Sequence, residues 1–556
     1  MKRTLLLLGI LCLISIHSVF AQDEAIEYTP CVFPVPLGEI LGETMDCGYL
    51  LVPQDYNEPD GLQVEIAFAV LYSTSPNPFP DPIIYLEGGP GGSALSGIDD
   101  WATFEMRQTR DIILFDQRGA GYSYPRLYCP DIDETDLTAC REQLESEGVD
   151  IADYNTINNA RDTNELVLAL GYEEWNLFGI SYGTRLALTI MRDYPEGIRS
   201  VILDSVYPPV VDAYVEEMVG GAGSFLLMFA DCRADDACNS AFPDLENRFY
   251  ALIDSLNEAP ITLADETVVD GEGLMGMMFQ WFYDSTIIPY LPLMIDELTN
   301  GGQSVLEALN DGTLPIYESE AINDPATLLS DEIYYLLEEV DDDTYNALYD
   351  ALYEWDFSYE GFTAILYEYF AEEDALYLEE LLADVGDDQL ERLYALLTYK
   401  DVSDTQGMYD AFECYEEIPF NSVEEQQALT ASANLPVQYE LLIELPNQIE
   451  TCALWQSAVA PQSETEAVIS DLPTLVMTGN YDPVTPPVWG QIAAETLSNS
   501  TYAEFIGVGH AAIDAGDCPL SIALAFVDDP TATLDLSCIA SMKMEFVTQM
   551  PDLSGE

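Results

Sequence analysis

A serine flanked by glycines lies in the middle of the chain, in the motif Gly179-Ile180-Ser181-Tyr182-Gly183. The run before it, Trp175 to Phe178, has the length of a buried strand, and Thr184 to Tyr194 has the pattern of a helix. A serine on a sharp turn from strand to helix has a strained backbone, and glycines on both sides leave room for the crowded elements. The helix N-terminus also favours an anion there. The motif is a modest signal by itself and predicts Ser181 as a nucleophile once partners are found.

A serine nucleophile needs a base, and the chain offers few. It contains two histidines, His17 and His510, and His17 lies in an N-terminal segment that we expect to be removed. Asp482 and His510 each follow a strand-like run, and with Ser181 they keep the chain order Ser, Asp, His that is known for such triads. An Asp before a proline is also typical of a turn, and a single histidine is often a hydrogen-bonded structural residue. The order and the position after strands favour a catalytic triad.

A glycine-rich loop follows the strand-like run Ile83 to Leu86, with the sequence Glu87-Gly88-Gly89-Pro90-Gly91-Gly92. Glycines let backbone N–H groups approach a substrate, and the residue after a nucleophilic serine supplies a second N–H group. We therefore predict that Gly89 and Tyr182 form the oxyanion hole of an acyl-transfer reaction. A phosphate-binding loop is the alternative, but no lysine follows the glycines and the spacing GxGxxG is absent.

Short apolar runs bounded by Gly, Pro and Asp alternate with longer helical patterns along much of the chain. The predicted strands are Gln63 to Tyr72, Pro82 to Leu86, Asp111 to Phe115, Trp175 to Phe178, Ser200 to Leu203, Pro473 to Thr478 and Tyr502 to Ile506. This alternation is typical of an α/β protein whose mostly parallel sheet is flanked by helices. Between about Pro208 and Pro446 it gives way to acidic, helical sequence rich in Tyr and Leu. We expect a sheet domain in two parts, 22–207 and 447–556, interrupted by a large helical cap insertion, 208–446.

The chain of 556 residues carries 101 acidic and 16 basic side chains, a net charge of −85, and 48% of its residues are hydrophobic. That much apolar sequence can bury a large core, which excludes a disordered chain. Nucleic acids and anionic membranes need Lys and Arg to neutralise them, so both are excluded as partners. The acidity favours solubility or a high-salt habitat and is expected to raise the pKa of His510. Zinc motifs such as CxxC and HExxH are absent, and we predict no metal and no cofactor.

The N-terminal segment 1–21 has the features of a secretory signal peptide: basic Lys2 and Arg3, the apolar run Leu5 to Ile16, and small residues ending at Ala21. The run is too short for a comfortable membrane span, so we expect a secreted protein, periplasmic or extracellular, without a membrane anchor. Loss of Cys12 with this segment leaves an even number of cysteines, as expected in an oxidising compartment. Among many possible connectivities, sequence neighbours suggest the pairs Cys31–Cys47, Cys129–Cys140, Cys232–Cys238, Cys414–Cys452 and Cys518–Cys538.

Four motifs carry a likeness to known proteins: GGPGGSA at 88–94, DQRGAGYS at 116–123, GISYGTRLAL at 179–188 and GNYDPVTPPVWG at 479–490. Together they resemble the secreted proline iminopeptidase and tripeptidyl aminopeptidase group of α/β-hydrolases. The resemblance continues through Cys414 to Phe420 and the terminal stretch with Cys518 and Cys538, and it covers the cap insertion only weakly. It implies an α/β-hydrolase fold and the triad named above, with Asp116 and Arg118 bracing the surrounding loops.

The resemblance also implies a peptidase whose substrates are peptides with a free N-terminus. A cap carboxylate would recognise the substrate ammonium group by a charge-assisted hydrogen bond. The resemblance implies Glu416 and Glu417 for this role, and Glu216 and Glu217 are a second choice. Proline iminopeptidases resemble one another in a His-Gly-Gly-Pro-Gly loop, in which this chain has Glu87 in place of the histidine. That departure favours the tripeptidyl-type branch over strict proline specificity.

Two other functions remain open from the sequence. A carboxylesterase or lipase would use the same triad, because fold and triad do not choose the leaving group. A binding protein on a hydrolase scaffold would keep the fold without catalysis. A requirement for a free substrate amine separates a peptidase from an esterase, and reaction of Ser181 with a serine-directed phosphonate separates an enzyme from a binding protein. The sequence leaves the oligomeric state and the physiological substrate open.

Overall fold

The computed structural model describes residues 25–129, 132, 136–314, 324–337, 342–353, 355, 357–386, 389–398, 402–403, 405–455 and 458–550. The expected signal peptide, residues 1–21, lies outside this part of the chain. The expected domain boundary at residue 22 lies outside it as well.

A nine-stranded sheet forms the centre of the molecule, in the order β1-β2-β3-β5-β4-β6-β7-β10-β11. Its strands are β1 (Ile26–Tyr28), β2 (Met45–Pro53), β3 (Gln63–Leu71), β4 (Ile83–Leu86), β5 (Ile112–Phe115), β6 (Trp175–Ile180), β7 (Ile198–Asp204), β10 (Thr474–Gly479) and β11 (Ser500–Phe505). Strands β1, β2, β3 and β5 pair antiparallel, whereas the pairs from β5 and β4 through to β11 are parallel. The sheet is mostly parallel, as predicted.

Every predicted strand is present, but β1 and β2 were not predicted. Strand β2 contains Asp46, Gly48 and Pro53, which are all uncommon in strands. Its low strand propensity explains why the sequence did not predict it. Its pairing with β3 over nine residues supplies the stability that the local sequence lacks. Tertiary pairing therefore decided this edge of the sheet.

Helices cover both faces of the sheet, because the strands are apolar on both sides. In β3, Ile66 and Phe68 belong to the apolar cluster on one face, and Ala67 and Ala69 belong to the cluster on the other. The helices of this region are α1 (Ile98–Thr103), α2 (Leu137–Ser146), α3 (Thr156–Leu170), α4 (Tyr182–Asp193), α19 (Pro487–Thr496) and α20 (Asp517–Asp528). This arrangement confirms the predicted α/β class.

The segment between β7 and β10 is built mainly of helices. They are α5 (Ala213–Ala234), α6 (Asp236–Ala241), α7 (Leu245–Glu258), α8 (Gly271–Trp281), α9 (Leu291–Thr299), α10 (Ser304–Asn310), α11 (Pro325–Leu337), α12 (Asp342–Tyr353), α13 (Tyr359–Tyr369), α14 (Glu372–Leu382), α15 (Leu390–Leu397), α16 (Gln406–Phe412), α17 (Val423–Ala433) and α18 (Leu445–Trp455). A short antiparallel pair, β8 (Ile261–Thr262) and β9 (Val268–Val269), interrupts them. We call this segment the cap.

The cap has apolar clusters of its own. Phe225, Phe249 and Phe282 lie in a cluster formed mainly by α5 to α10. Leu366 and Leu378 lie in a separate cluster formed by α11 to α15. A segment that buries this much apolar surface within itself has hydrophobic cores of its own.

Five disulfides join neighbouring cysteines, and all five pairs suggested by the sequence are confirmed: Cys31–Cys47, Cys129–Cys140, Cys232–Cys238, Cys414–Cys452 and Cys518–Cys538. Among the described residues, none of the helices combines the length and the apolar character that crossing a membrane requires.

Candidate active site

Ser181 lies at the turn between β6 and α4, where its backbone has φ 57° and ψ −126°. A positive φ is unfavourable for a residue with a side chain, so the surrounding elements must hold it in place. A Cβ at Gly183 would overlap the carbonyl of Leu86 in β4, and one at Gly179 would overlap the carbonyl of Gly183. The two glycines are therefore required by the close approach of strand and helix, as the sequence predicted.

Asp482 and His510 are joined directly. His510 Nδ1 lies 2.9 Å from Asp482 Oδ2, and the Asp482 side chain is fully buried. Thr485 donates its hydroxyl to the same Asp482 oxygen at 2.6 Å, and its Oγ1 lies 3.3 Å from His510 Nδ1. A carboxylate in this position fixes the imidazole orientation and stabilises its charged form.

The sheet brings these residues to one edge. Strands β6, β7, β10 and β11 are consecutive parallel neighbours. Ser181 directly follows β6, Asp482 follows β10, and His510 follows β11. Because parallel strands end on the same side, all three residues lie at the carboxyl edge of the sheet, where open α/β sheets bind ligands.

The cap reaches the His510 loop. The His510 N–H group donates to the carbonyl of Tyr283 at 3.0 Å, and the Gly509 N–H group donates to Ser285 Oγ at 3.0 Å. The Tyr283 ring packs on the imidazole, with 4.8 Å between the ring centroids. The cap therefore helps to position the His510 ring. No local sequence motif predicted this contact of Tyr283.

His510 has a raised pKa. Burial lowers the pKa, but the charge and hydrogen bond of Asp482, together with the charge of Asp204, outweigh it and leave the value above 6.5. The direction agrees with the expectation from the sequence. The causes are buried neighbours rather than the acidic surface.

The predicted oxyanion donors lie close to Ser181. Gly88 is adjacent to the serine, since a Cβ on Gly88 would lie 3.2 Å from Ser181 Cβ. Its own N–H group donates to Glu87 Oε1 at 2.8 Å, and no hydrogen bond within the described part of the chain uses the Gly89 N–H group. Tyr182 is the first residue of α4, so its N–H group has no acceptor within the helix. The N–H groups of Gly89 and Tyr182 therefore have no acceptor among the described residues.

Asp116 and Arg118 support the loops, as the resemblance implied. Asp116 is buried and accepts hydrogen bonds from Ser93 Oγ and the Tyr122 N–H group, at 2.9 and 2.7 Å. Arg118 makes a two-pronged ion pair with Asp162, with both N to O distances at 2.7 Å. These contacts hold the glycine-rich loop and the turn after β5 against the core.

The predicted ammonium-binding residues Glu416 and Glu417 are buried and already have partners. Both pack against Arg185 of α4, and Glu416 also accepts the Thr156 N–H group at 2.7 Å. Glu413, which was not considered from the sequence, joins this cluster, and its Oε2 has no hydrogen-bond partner among the described residues. The cluster joins the cap to helix α4, which begins directly after Ser181.

Glu216 and Glu217 lie near the start of α5. Glu217 Oε1 accepts the Glu444 N–H group at 2.7 Å, and burial raises the pKa of Glu217 to about 8. Glu216 is half-buried and accepts Trp489 Nε1–H at 2.8 Å through Oε2. Helix α5 packs on the turn that carries Asp482, since a Cβ on Gly220 would contact Pro486.

A cavity of about 890 Å³ opens beside His510. The cap contributes Tyr283 and Ser285 to its lining, and the C-terminal segment contributes Met542 and Lys543. It extends from the imidazole between the cap and the sheet domain.

Comparisons with known proteins match both parts of the sheet domain. A family model described as alpha/beta hydrolase fold matches residues 81–266, and one described as TAP-like protein matches residues 444–538. The chain has the α/β-hydrolase fold.

The chain is similar to several curated proteins. It is 29% identical over 247 residues to serine protease Hip1 of Mycobacterium tuberculosis, covering 39% of this chain and 46% of that protein. It is 31% identical over 202 residues to tripeptidyl aminopeptidase of Streptomyces coelicolor, covering 31% and 37%. It is 31% identical over 151 residues to proline iminopeptidase of Xylella fastidiosa, covering 26% and 39%. The matches span less than half the length of these relatives.

Proposed function

We propose that this α/β hydrolase is a serine aminopeptidase that cleaves peptides near a free N-terminus. The observation that carries the proposal is the Asp482–His510 hydrogen bond of 2.9 Å at the sheet edge where Ser181 sits on its strained turn. The names of the relatives, which are serine protease, tripeptidyl aminopeptidase and proline iminopeptidase, favour peptides over other acyl substrates.

The proposed reaction is acyl transfer in two steps. His510 accepts the Ser181 proton as the hydroxyl attacks the scissile carbonyl, and Asp482 stabilises the imidazolium that forms. The N–H groups of Gly89 and Tyr182 bind the oxyanion. The imidazolium then gives its proton to the leaving amine, and water releases the acyl group by the reverse sequence.

Among the four glutamates considered from the sequence, Glu216 is best suited to bind the substrate ammonium group. Glu416 and Glu417 already share Arg185, and Glu217 is neutral at neutral pH because its pKa is raised to about 8. Glu216 is half-buried and uses only Oε2 in the hydrogen bonds of the described residues. In this proposal, Glu216 Oε1 accepts a charge-assisted hydrogen bond from the substrate ammonium group.

The first experiment compares hydrolysis of an Ala-Ala-Phe reporter amide with a free and with an acetylated N-terminus, using Ser181→Ala as the control. Cleavage of the free form alone, lost in the control, supports a serine aminopeptidase. Hydrolysis of simple acyl esters without cleavage of either amide would overturn the peptidase proposal and leave an esterase.

A second experiment tests the ammonium site. Glu216→Gln is expected to raise KM for the free reporter about tenfold and leave kcat nearly unchanged, because the bound substrate and the transition state lose the same interaction. Glu246→Gln is the matched control, since Glu246 is a cap glutamate on α7 that pairs with Arg233. An unchanged KM in Glu216→Gln would show that another group binds the amine.

We also infer that the mature protein works in an oxidising compartment outside the cytoplasm. Its five disulfides support this inference, because such bonds are rare where thiols are kept reduced. Mass spectrometry of the protein from its own host should find an N-terminus at Gln22. An intact N-terminus at Met1 would contradict the predicted cleavage.

A further inference from the structure

Strand β7 ends in Asp204, which is followed by Ser205, and neither residue has a part in the proposed reaction. Both side chains are completely buried, with 0% exposure. A buried carboxylate is costly unless hydrogen-bond donors surround it. The groups that donate hydrogen bonds to Asp204 therefore indicate which part of the structure its carboxylate stabilises.

Both oxygens of Asp204 accept backbone N–H groups from the loop that carries His510. Oδ1 accepts the N–H group of Ala512 at 2.9 Å, and Oδ2 accepts the N–H group of Ile513 at 2.7 Å. These residues begin two positions after the base. Hydrogen bonds to an ionised carboxylate are stronger than those between neutral groups, so the loop is firmly anchored.

The neighbouring groups of this pair hold the rest of the triad. Ser205 Oγ accepts the N–H group of Ala511 at 2.9 Å, and the Ser205 N–H group donates to Met477 in β10 at 3.0 Å. The carbonyl of Asp204 accepts the N–H group of Ser181 at 3.0 Å. One dipeptide thus bonds to the nucleophile turn, to the strand that leads to the triad acid, and to the loop of the base.

We propose that Asp204 is a positioning residue of the triad: its carboxylate holds the loop of His510 beside the turn of Ser181. The inference rests on the proposed triad and deepens it. Asp204 does not touch the reacting atoms and acts through His510. A base displaced by even about 1 Å loses much of its rate, so such an anchor has a measurable effect.

The charge of Asp204 interacts electrostatically with His510. Asp204 faces His510, Asp514 and Tyr85. Burial raises the pKa of Asp204 to about 7, so the carboxylate is ionised above neutral pH. Its negative charge adds to that of Asp482 and favours the imidazolium form of His510.

His510 itself faces Asp482, Asp204 and the ring of Tyr283. Removal of the Asp204 charge is therefore expected to lower the pKa of His510. A purely structural residue would not produce this shift, so the acid limb of the rate separates the two roles.

The test uses Asp204→Asn in the full mature protein. The substitution keeps the shape but turns one acceptor oxygen into an amide that faces a backbone N–H group. The rate of Ser181 labelling by a fluorophosphonate is measured against pH, alongside kcat and KM on the free reporter amide. Asp81→Asn is the matched control, because Asp81 is also buried but pairs with Arg110 and Asn176 at the amino ends of β4 and β6, the edge of the sheet opposite Ser181.

We expect Asp204→Asn to label at least about tenfold more slowly, with kcat reduced and KM within about threefold of the wild type. Its acid limb should move to lower pH by about 0.5 to 1 unit. Asp81→Asn should lose thermal stability while keeping the rate and the limb. A rate and a limb in Asp204→Asn that match those of Asp81→Asn at similar stability would overturn the proposal.

Two further measurements keep the result decisive. If Asp204→Asn does not fold, Ser205→Ala removes only the acceptor of the Ala511 N–H group and should slow labelling severalfold without moving the acid limb; an unchanged labelling rate would overturn the proposal. Labelling does not depend on the substrate class, so a wild type that hydrolyses only esters would overturn the peptidase proposal and still test this one. A wild-type Ser181 that does not label would overturn both.

Discussion

The carboxylate of Asp482 accepts four hydrogen bonds, and they explain how the base is oriented. The N–H groups of Val484 and Thr485 donate to Oδ1 at 3.1 and 2.9 Å, while Thr485 Oγ1 and His510 share Oδ2. Three of the four hydrogen bonds come from the turn after β10, so the turn itself orients the Asp482 carboxylate. The backbone N–H groups of this turn provide most of the orientation of the Asp482 carboxylate, and the Thr485 hydroxyl provides the rest.

Thr485→Val tests that hydroxyl. The change removes the Oγ1 that bridges Asp482 and His510, and we expect kcat on a reporter amide to fall about tenfold, equivalent to about 1.4 kcal/mol. Thr474→Val is the control, because Thr474 is a buried threonine at the start of β10, away from Asp482, and it donates to the Leu472 carbonyl. Equal rates for the two variants would show that the hydroxyl has no part in orienting the base.

The pKa of His510 predicts how activity depends on pH. Because the value lies above 6.5, the free base is lost as the pH falls through it, and kcat/KM should decline on the acid side. Buried neighbours cause the shift, so the acid limb should stay in place between about 0.05 and 1 M NaCl. A limb that moves to lower pH as salt is added would assign the shift to the acidic surface instead.

The turn between β6 and α4 shows how one element sets the position of the nucleophile. Gly183 lies so close to β4 that only a residue without a side chain fits there. Four residues after the serine, Arg185 of the same helix enters the cluster of buried cap glutamates. The helix therefore joins the nucleophile to the cap as well as to the sheet.

Gly183→Ala is expected to prevent folding or to abolish serine labelling, because its Cβ would overlap the Leu86 carbonyl of the central strand β4. The measurements are the yield of soluble protein and fluorophosphonate labelling. Gly223→Ala is the control, since Gly223 lies inside helix α5 with no atom within 4 Å of a new Cβ. That control should raise stability by about 1 kcal/mol, and normal labelling of Gly183→Ala would contradict the tight turn.

The whole molecule carries its charge of −85 against a large buried core, and several carboxyl groups lie inside that core. Burial raises the pKa of Asp116, Asp204 and Glu416 to about 7. In the unfolded chain these groups release their protons near pH 4. Between about pH 4 and 7 the folded state therefore binds more protons than the unfolded state, and its stability falls as the pH rises.

We expect the thermal midpoint to be higher at about pH 5.5 than at about pH 8, because both the buried carboxyl groups and the repulsion between surface charges favour the more acidic condition. Added salt should raise the midpoint at pH 8 by screening the repulsion. Calorimetry at the two pH values, with and without about 1 M NaCl, measures this. A midpoint that is highest at pH 8 in low salt would show that paired carboxylates dominate instead.

The sequence predicted some parts of the fold and of the site and missed others. The α/β class, the strand positions around the site and all five disulfides followed from local patterns. The Asp482–His510 contact followed from chain order. The buried place of Glu416 and Glu417 on Arg185 did not, because nothing near a glutamate in the sequence tells whether a distant arginine will claim it.

The sequence by itself determined the parts that depend on local backbone demands. Glycines around Ser181, the turn after β10 and cysteines within 38 residues of each other act over short distances, where loop closure is easy and turn chemistry is specific. Only the tertiary structure decided the strand β2, the contact of Tyr283 with the base and the anchoring of its loop by Asp204. The contacts of Tyr283 and Asp204 with the His510 loop join residues more than 200 positions apart, and β2 depends on its pairing with β3, so packing of the folded chain selects all three.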